Sequence, residues 1–462
     1  MGGTRTAATG EPPVPDPWDD LESLCRLPHR GTCTPEEGRA ARWLAARLAE
    51  LGFEVDLQPF TAPRHTLYLG PGLTGLVLAA LGLAGARWAG PGAGSGLLAL
   101  MALVTLVPLL GELALWPGGI PVSLAWVVPR GRSQNVVARW PQGAPRAAAA
   151  RQPAEAGPGP SAAGLPAAGP QEPPGGRRGE PGPLHLVITA HYDTQWGSWL
   201  FAPRFLPWLQ AFFVAGYAAF AAVPLLLAAR AAGMAAAAPL AAAALVSAAV
   251  AGFLLLSWAT GRPINGANDN GSGVAVALAL ARRWAARPLP GVELVVALTG
   301  AEETGMRGMA ALLSHPWFPR PRGSRVAVLN IDNVGAGRLH YLTAEGMLLP
   351  VRYDARLVQE ARRLAAALPA GRLTPGPRPL LPTDALVPAA RRIPVITFLA
   401  TGPGGRIPHY HWHTDRLEHV DRAHLAEVAR VLWTYVAQLA GEPRAGRYPP
   451  ERASANRPRT WT

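Results

Sequence analysis

Each of three apolar runs that predict buried strands is followed by side chains that can bind metal or move a proton. They are His191 and Asp193 after the run 184–190, Glu302 and Glu303 after 292–299, and Asp332 after 325–331. Open α/β folds keep their sites at the carboxyl edge of a parallel sheet. We therefore expect these side chains to lie near one another at one edge.

Two further residues complete a possible ligand set. Asp269 stands at the predicted start of a helix, and His413 lies in a loop rich in Gly and Pro, 401–414. Zinc accepts such a mixture of imidazole nitrogen and carboxylate oxygen. Two cations bridged by a carboxylate can share a hydroxide and polarise a carbonyl. Of two adjacent carboxylates, Glu302 and Glu303, one can bind metal while the other acts as a base.

Taken alone, each of these residues has an ordinary explanation. A His-x-Asp pair is often a strand end with a capping Asp, and Glu302 with Glu303 could be a solvated cap. Asp332 could form a turn, and His413 could be a surface histidine. Their common position, at predicted carboxyl ends or in nearby loops, favours a metal site.

Strands alternate with helices in the soluble parts of the chain. The segment from Thr34 to Gly52 predicts a helix with an N-cap, a first-turn proline and the capping-box carboxylate Glu37. Apolar runs and amphipathic helices then follow one another from residue 268 to about 440. This order predicts an α/β fold with a mostly parallel central sheet and helices on both faces.

Four apolar runs interrupt this soluble pattern. They are 67–86, 88–111, 205–227 and 231–258, and none contains a charged residue. Each is long enough to cross about 30 Å of hydrocarbon, which takes about 20 residues. The runs predict four transmembrane helices as two inserted hairpins. The alternative is two pairs of buried core helices.

The predicted organisation follows from these patterns. It comprises a disordered tail (1–16), a first catalytic part (17–66), a first transmembrane hairpin (67–118), a second catalytic part (119–203) with a disordered loop (142–183), a second hairpin (204–259), a third catalytic part (260–442) and a C-terminal tail (443–462). An even number of crossings lets all catalytic parts assemble on one side of a bilayer.

Composition limits the classes of partner. The formal charge of +13 comes from arginine without lysine, and no compact basic run with interleaved aromatics predicts a nucleic-acid surface. The apolar fraction of 49% instead indicates a lipid bilayer as a partner. The two cysteines, Cys25 and Cys33, are expected to be free thiols.

Five motifs in order resemble those of the co-catalytic zinc aminopeptidases, a family that includes glutamate carboxypeptidases and glutaminyl cyclases. They are AHYDT at His191, GANDNGSGVA at Asp269, GAEETGMRG at Glu302, NIDNVG at Asp332 and HTDRLEHVD from His413. The resemblance implies a phosphorylase/hydrolase-like α/β/α sandwich. It also implies two Zn²⁺ ions, one bound by His191 and Asp332 and the other by Glu303 and His413, with Asp269 bridging.

The resemblance assigns further roles. Glu302 would be the general base acting on a metal-bridging water, and Asp193 would orient His191. Asp384 lies in a segment that resembles one lining the family's site. A tyrosine often precedes the last histidine in the family, whereas this chain has Trp412, with Tyr410 as a possible substitute that contacts substrate. His411 is the rival to His413 as a ligand.

The resulting expectation is a membrane-anchored zinc aminopeptidase that acts on peptides. A glutaminyl-cyclase-like enzyme with one zinc, and a catalytically silent membrane receptor or scaffold, are the alternatives. Arginines flanking the spans favour an integral protein of the bacterial inner membrane with its catalytic domain in the cytoplasm. They are Arg64, Arg130, Arg132, Arg204 and Arg262, against Arg87 and Arg230 in the opposite loops. The sequence leaves the oligomeric state open.

Overall fold

The computed structural model describes seven stretches of the chain: 13–66, 68–115, 128–141, 183–319, 325–346, 350–379 and 381–441. Within 68–115, the side chains at 108 and 110–115 are outside the description. Most of the predicted N-terminal tail, the predicted loop over 142–182 and the C-terminal tail 443–462 lie outside the described residues.

A central sheet of eight strands organises the structure. The strands are β1 (Glu54–Pro63), β2 (Arg130–Arg139), β3 (Leu184–His191), β4 (Val292–Thr299), β5 (Arg325–Ile331), β6 (Arg338–Tyr341), β7 (Thr374–Pro375) and β8 (Val395–Thr401). Their order across the sheet is β1, β2, β4, β3, β5, β8, β6 and β7. The four middle strands β4, β3, β5 and β8 are mutually parallel.

The parallel strands are buried almost throughout, as expected for strands covered on both faces. Their carboxyl ends bring His191, the Gly300–Glu303 turn and Asp332 to one edge of the sheet. The predicted α/β fold with a mostly parallel central sheet is confirmed.

Eleven α-helices accompany the sheet in the described part of the chain. They are α1 (Trp18–Cys25), α2 (Pro35–Glu50), α3 (Leu69–Arg87), α4 (Ala93–Leu115), α5 (Leu209–Ala231), α6 (Ala237–Thr260), α7 (Gly273–Ala286), α8 (Arg307–Leu312), α9 (Ala355–Ala367), α10 (Leu386–Ala390) and α11 (Arg422–Ala440). Helices α1, α7 and α9 each pack against α11. The apolar residues between these helices and the sheet form one continuous core.

Helix α2 begins as its sequence predicts. The Thr34 side chain accepts a hydrogen bond from the Glu37 backbone N–H at 3.2 Å. The Glu37 carboxylate reaches back to the N–H of Cys33 at 2.6 Å, one residue before the expected partner, and also accepts from the Ser133 hydroxyl at 2.6 Å. The cap thereby ties the start of α2 to β2.

Three helices of the described part are long and apolar enough to cross a membrane: Leu69–Arg87, Leu206–Ala231 and Ala237–Thr260. A shorter apolar helical stretch, Ala93–Val107, belongs to α4. The four helices form one bundle in which α3 packs on α6 and α4 packs on α5. A side chain at Gly75 of α3 would collide with Phe220 and Ala251, so glycine permits the close approach.

The two ends of each apolar hairpin are held together at the edge of the α/β part. β1 and β2, which flank the first hairpin, pair with Pro63 opposite Arg130. Trp196–Gly197, before the second hairpin, pairs with Arg262–Pro263 after it. Both hairpins therefore leave the α/β part and return to it at the same place.

Candidate metal centre

Backbone elements of three kinds position the candidate ligands. His191 is the last residue of β3, Glu302 and Glu303 follow β4, and Asp332 follows β5. Asp269 lies in an irregular helical turn, Ala267–Ser272, that precedes α7. A continuous strand cannot supply ligands at several heights, whereas the turns after neighbouring strand ends can converge on one point.

The side chains converge around the Asp269 carboxylate. Its Oδ1 lies 3.3 Å from His191 Nε2, and its Oδ2 lies 3.0 Å from His411 Nε2. His191 Nε2 is also 3.6 Å from Asp332 Oδ1, and His411 Nε2 is 3.3 Å from Glu303 Oε2. Potential ligand atoms of His191, Asp269 and Glu303 all lie within 4.8 Å of one another. Asp269 thus stands between two imidazoles, each of which has a second carboxylate partner.

The structure brings His411, and not His413, to this cluster. His411 is buried, whereas His413 is exposed and lines a separate cleft of about 770 Å³ with Trp412 and Arg416. His409 and His411 both adopt left-handed backbone conformations, with φ of 58° and 51°. The resulting sharp turns aim the two histidines differently from a regular loop. His411 therefore takes the place in the cluster that the sequence assigns to His413.

The donor set fits bound cations. Asp269 Oδ2, Glu303 Oε1 and His411 Nδ1 are buried and have no hydrogen-bond partner among the described residues. Buried carboxylate oxygens without donors are costly unless a cation or proton compensates them. Two imidazoles with three carboxylates are ligands that zinc accepts.

Electrostatics of the cluster lead to the same conclusion. Burial raises the pKa of the Glu303 carboxyl to about 7, although the nearby His411 opposes this. Burial also raises the pKa of Glu302 well above its ordinary value, and the neighbouring Glu303 adds to the effect. Burial disfavours a charged His191, but hydrogen bonds to Asp193, Asp269 and Asp332 outweigh it and raise its pKa. The site therefore favours positive charge among its carboxylates.

Asp193 connects two of the strand ends. Its carboxylate accepts hydrogen bonds from the backbone N–H of Glu302 at 3.0 Å and of Glu303 at 3.3 Å, and from the Thr32 hydroxyl at 2.8 Å. Its Oδ1 lies 3.6 Å from His191 Nδ1. The carboxylate can therefore orient both His191 and the Glu302–Glu303 turn.

Glu302 faces a small cavity of about 20 Å³ whose lining includes His191, Asp269, Asp332 and His411. Tyr410 also lines this cavity, with its ring stacked on that of His411 at a centroid distance of 3.8 Å. Asp384 lies behind the cavity wall, fully buried, with its Oδ2 accepting from the Thr299 hydroxyl. Glu302 and Tyr410 can thus meet a substrate at the cavity, whereas Asp384 supports the Thr299 end of β4.

Three supporting residues were not assigned these roles from the sequence. Asp415 accepts from the backbone N–H groups of Asn268 at 2.6 Å and Asp269 at 3.0 Å. Asn333 donates to Asp269 Oδ1 at 3.1 Å and to Asp332 Oδ1 at 2.8 Å.

Buried Arg30 donates to the carbonyls of Tyr192, Asn265 and Gly266 at 2.7–2.8 Å, which joins the His191 turn to the segment before Asp269. Asn333 directly follows a predicted ligand and Asp415 lies in the HTD motif, which is a usable signal. Nothing near Arg30 in the sequence indicates its role.

Comparison with solved structures supports the fold. The chain is similar to a Zn-dependent exopeptidase from Parabacteroides distasonis, at 13% identity over 93% of this chain and 99% of that one, with a TM-score of 0.51. It also matches a zinc aminopeptidase from Bacillus subtilis, at 14% identity over 94% and 96% of the two chains, with a TM-score of 0.49. A glutaminyl cyclase from Porphyromonas gingivalis matches at 15% identity over 92% and 98%, with a TM-score of 0.48.

Comparison with family models gives a more specific result. No curated protein matches the chain. Residues 253–436 match the model described as Peptidase family M28. The match includes Asp269, Glu302, Glu303, Asp332 and His411, and begins after His191 and Asp193. The chain therefore carries a domain of peptidase family M28, which confirms the predicted class of zinc-dependent metallopeptidase.

Proposed function

We propose that the chain is a membrane-anchored aminopeptidase that uses two zinc ions to remove amino-terminal residues from peptides. The position of Asp269 between two imidazoles carries the proposal, since its two oxygens lie 3.3 Å from His191 Nε2 and 3.0 Å from His411 Nε2. His191 and Asp332 would hold one cation, and His411 and Glu303 the other, with Asp269 shared. A site for one zinc, as in the cyclase alternative, would not need two such pairs.

The chemistry follows from the side chains at the cavity. When bound, two zinc ions would polarise the scissile carbonyl and lower the pKa of a water shared between them. Glu302, which lines the cavity, would accept a proton from that water and return it to the leaving amine. Asp193 would hold the Glu302 backbone and the His191 ring in place for this transfer.

The apolar bundle supports the membrane part of the proposal. Its helices expose large apolar side chains such as Leu76, Val104, Val214, Leu225 and Leu245. Contiguous apolar surface of this kind is unfavourable in water and favourable in lipid. We propose that 67–118 and 204–259 are transmembrane hairpins and that 17–66, 119–203 and 260–442 form one catalytic domain. The flanking arginines favour a cytoplasmic position for this domain.

A matched pair of variants tests the mechanism. The full chain is purified in detergent, its zinc is counted by plasma mass spectrometry, and hydrolysis of leucine p-nitroanilide is followed. We expect two zinc ions per chain. Glu302→Gln should keep both ions and lose about 10²–10⁴-fold in kcat. Glu303→Gln should lose zinc as well as activity, because Glu303 contacts His411 at the second cation position.

The outcomes separate the alternatives. Full turnover by Glu302→Gln would refute its role as the base. One zinc per chain with cyclisation of amino-terminal glutamine would favour a cyclase. Bound zinc without any hydrolysis of aminoacyl substrates would favour a silent receptor or scaffold.

A further inference from the structure

A second cavity adjoins the metal-site cavity on the side of the apolar bundle. It measures about 290 Å³ and shares with the metal-site cavity five wall residues, namely Pro379, Leu381, Leu399, Ile407 and Tyr410. The metal-site cavity, at about 20 Å³, is too small for an amino-acid side chain. A peptide bound at the metals must therefore extend into neighbouring space, and this cleft is such a space.

The outer wall of this cleft comes from the second apolar hairpin. Leu206, Leu209 and Gln210, at the start of α5, line it opposite the 377–381 and 401–410 loops. Leu209 is buried, and Leu206 packs with Leu381 and Tyr410 in one apolar cluster. Gln210 is exposed. The hairpin thus contributes directly to space beside the catalytic cavity.

The rim of the cleft carries two arginines, Arg378 and Arg406. Both are exposed, and neither has an acidic partner among the residues that the structure describes. In contrast, the metal-site cavity is lined by Glu302, Asp269 and Asp332. A substrate's positively charged amino terminus is therefore better matched to the acidic cavity, and a negative group is better matched to the rim.

We propose that this cleft binds the leaving portion of the peptide and selects an apolar residue followed by a carboxylate. The proposal rests on the aminopeptidase function proposed above. The apolar wall of Leu381, Leu399 and Ile407 would contact the side chain after the scissile bond. Arg378 and Arg406 would pair with the carboxylate, either the carboxyl terminus of a short peptide or an acidic side chain. The volume, near the lower end of the usual range of about 300–1,000 Å³, suits one or two residues.

Three peptides test the proposal on the purified full chain: Leu-Leu-Leu, its carboxyl-terminal amide, and Leu-Leu-Glu-amide. We expect kcat/KM for the free acid to exceed that for the amide by about tenfold, the size typical of a charge-assisted contact. Preference for Leu-Leu-Glu-amide over Leu-Leu-Leu-amide would show that an acidic side chain also serves. Either preference supports carboxylate recognition.

Two changes link the preference to the cleft. The double variant Arg378→Gln with Arg406→Gln should reduce the acid-to-amide ratio from about tenfold to about one. Gln210→Glu should also lower the ratio, because it places a negative charge on the hairpin wall beside the rim. Arg362→Gln and Gln359→Glu, at exposed positions of α9, are the matched controls and should keep the ratio.

Equal rates for acid and amides in the wild-type chain would overturn the proposal. It would also be overturned if the arginine variants kept the ratio but lost binding to phosphatidylglycerol vesicles, since the arginines would then serve a lipid headgroup. Leucine p-nitroanilide separates this failure from failure of the aminopeptidase function. Turnover of that reporter without a carboxylate preference refutes only the cleft assignment.

Discussion

His411 and His413 provide an internal comparison for the proposed metal centre. They are identical side chains two residues apart, but only His411 Nε2 lies near ligand oxygens, 3.0 Å from Asp269 and 3.3 Å from Glu303. His413 is exposed, and its contact in the loop uses its backbone carbonyl, which accepts from Arg416 Nε at 3.1 Å. Replacing each in turn by alanine therefore tests the site with the loop largely preserved.

The expected magnitude follows from the ligand count. The second cation would have three protein ligands, His411, Glu303 and Asp269. Loss of a residue that only supports a ligand costs about 10–100-fold in metal affinity, so loss of the ligand itself should cost at least about 100-fold. That factor corresponds to about 2.7 kcal/mol of binding free energy. For His413→Ala the expected change is within about 0.5 kcal/mol, as at most surface positions.

The assay is zinc titration of the metal-free full chain with a competing chelator, followed by hydrolysis of leucine p-nitroanilide. Wild type and His413→Ala should each bind two zinc ions with similar affinities and turnover. His411→Ala should show one ion bound at least about 100-fold more weakly, with activity reduced at limiting zinc.

The reverse pattern would refute the assignment. If His413→Ala weakened zinc binding and His411→Ala did not, the loop 409–415 would have to be rearranged when metal is bound. Equal effects of both variants would show that neither histidine has a distinct position. Thermal unfolding of the two metal-free variants controls for misfolding.

Two further predictions concern residues around the site. Asp193→Asn should weaken zinc binding by about 10–100-fold in the same chelator titration, because the amide nitrogen of Asn cannot accept from the N–H groups of Glu302 and Glu303; unchanged affinity would argue against an orienting role. Glu37 has a pKa raised by burial from 4.5 to about 8, so the folded state retains a proton that the unfolded state has released, and its contribution makes stability fall as pH rises from about 4.5 to 8. Glu37→Gln should make the melting temperature less dependent on pH across this range, by up to about 1.4 kcal/mol per pH unit at the steepest point, whereas an identical pH profile in scanning fluorimetry would contradict the assignment.

The sequence predicted those parts of the site that follow from local patterns. An apolar run that ends in a ligand fixes its own position at a strand end, which accounts for His191, Glu302, Glu303 and Asp332. The Thr34–Glu37 cap was predictable for the same reason.

Other features depend on conformation or on distant contacts. The choice between His411 and His413 depends on left-handed backbone at residues 409 and 411, which neither residue type nor spacing indicates. Arg30 binds carbonyls more than 160 residues away along the chain. The position of Gln210 beside Arg378 and Arg406 depends on how a separate helical hairpin packs on the sheet edge.

The aromatic cluster below the cleft affects how this enzyme could be made smaller. Phe205, Phe212 and Phe253 of the second hairpin pack in one group with Leu381 and Tyr410. Deleting the hairpin to obtain a water-soluble version would therefore uncover the back of Tyr410, whose ring stacks on His411. A shortened enzyme would need new apolar cover at that place, and anchoring and substrate selection would have evolved as a single unit.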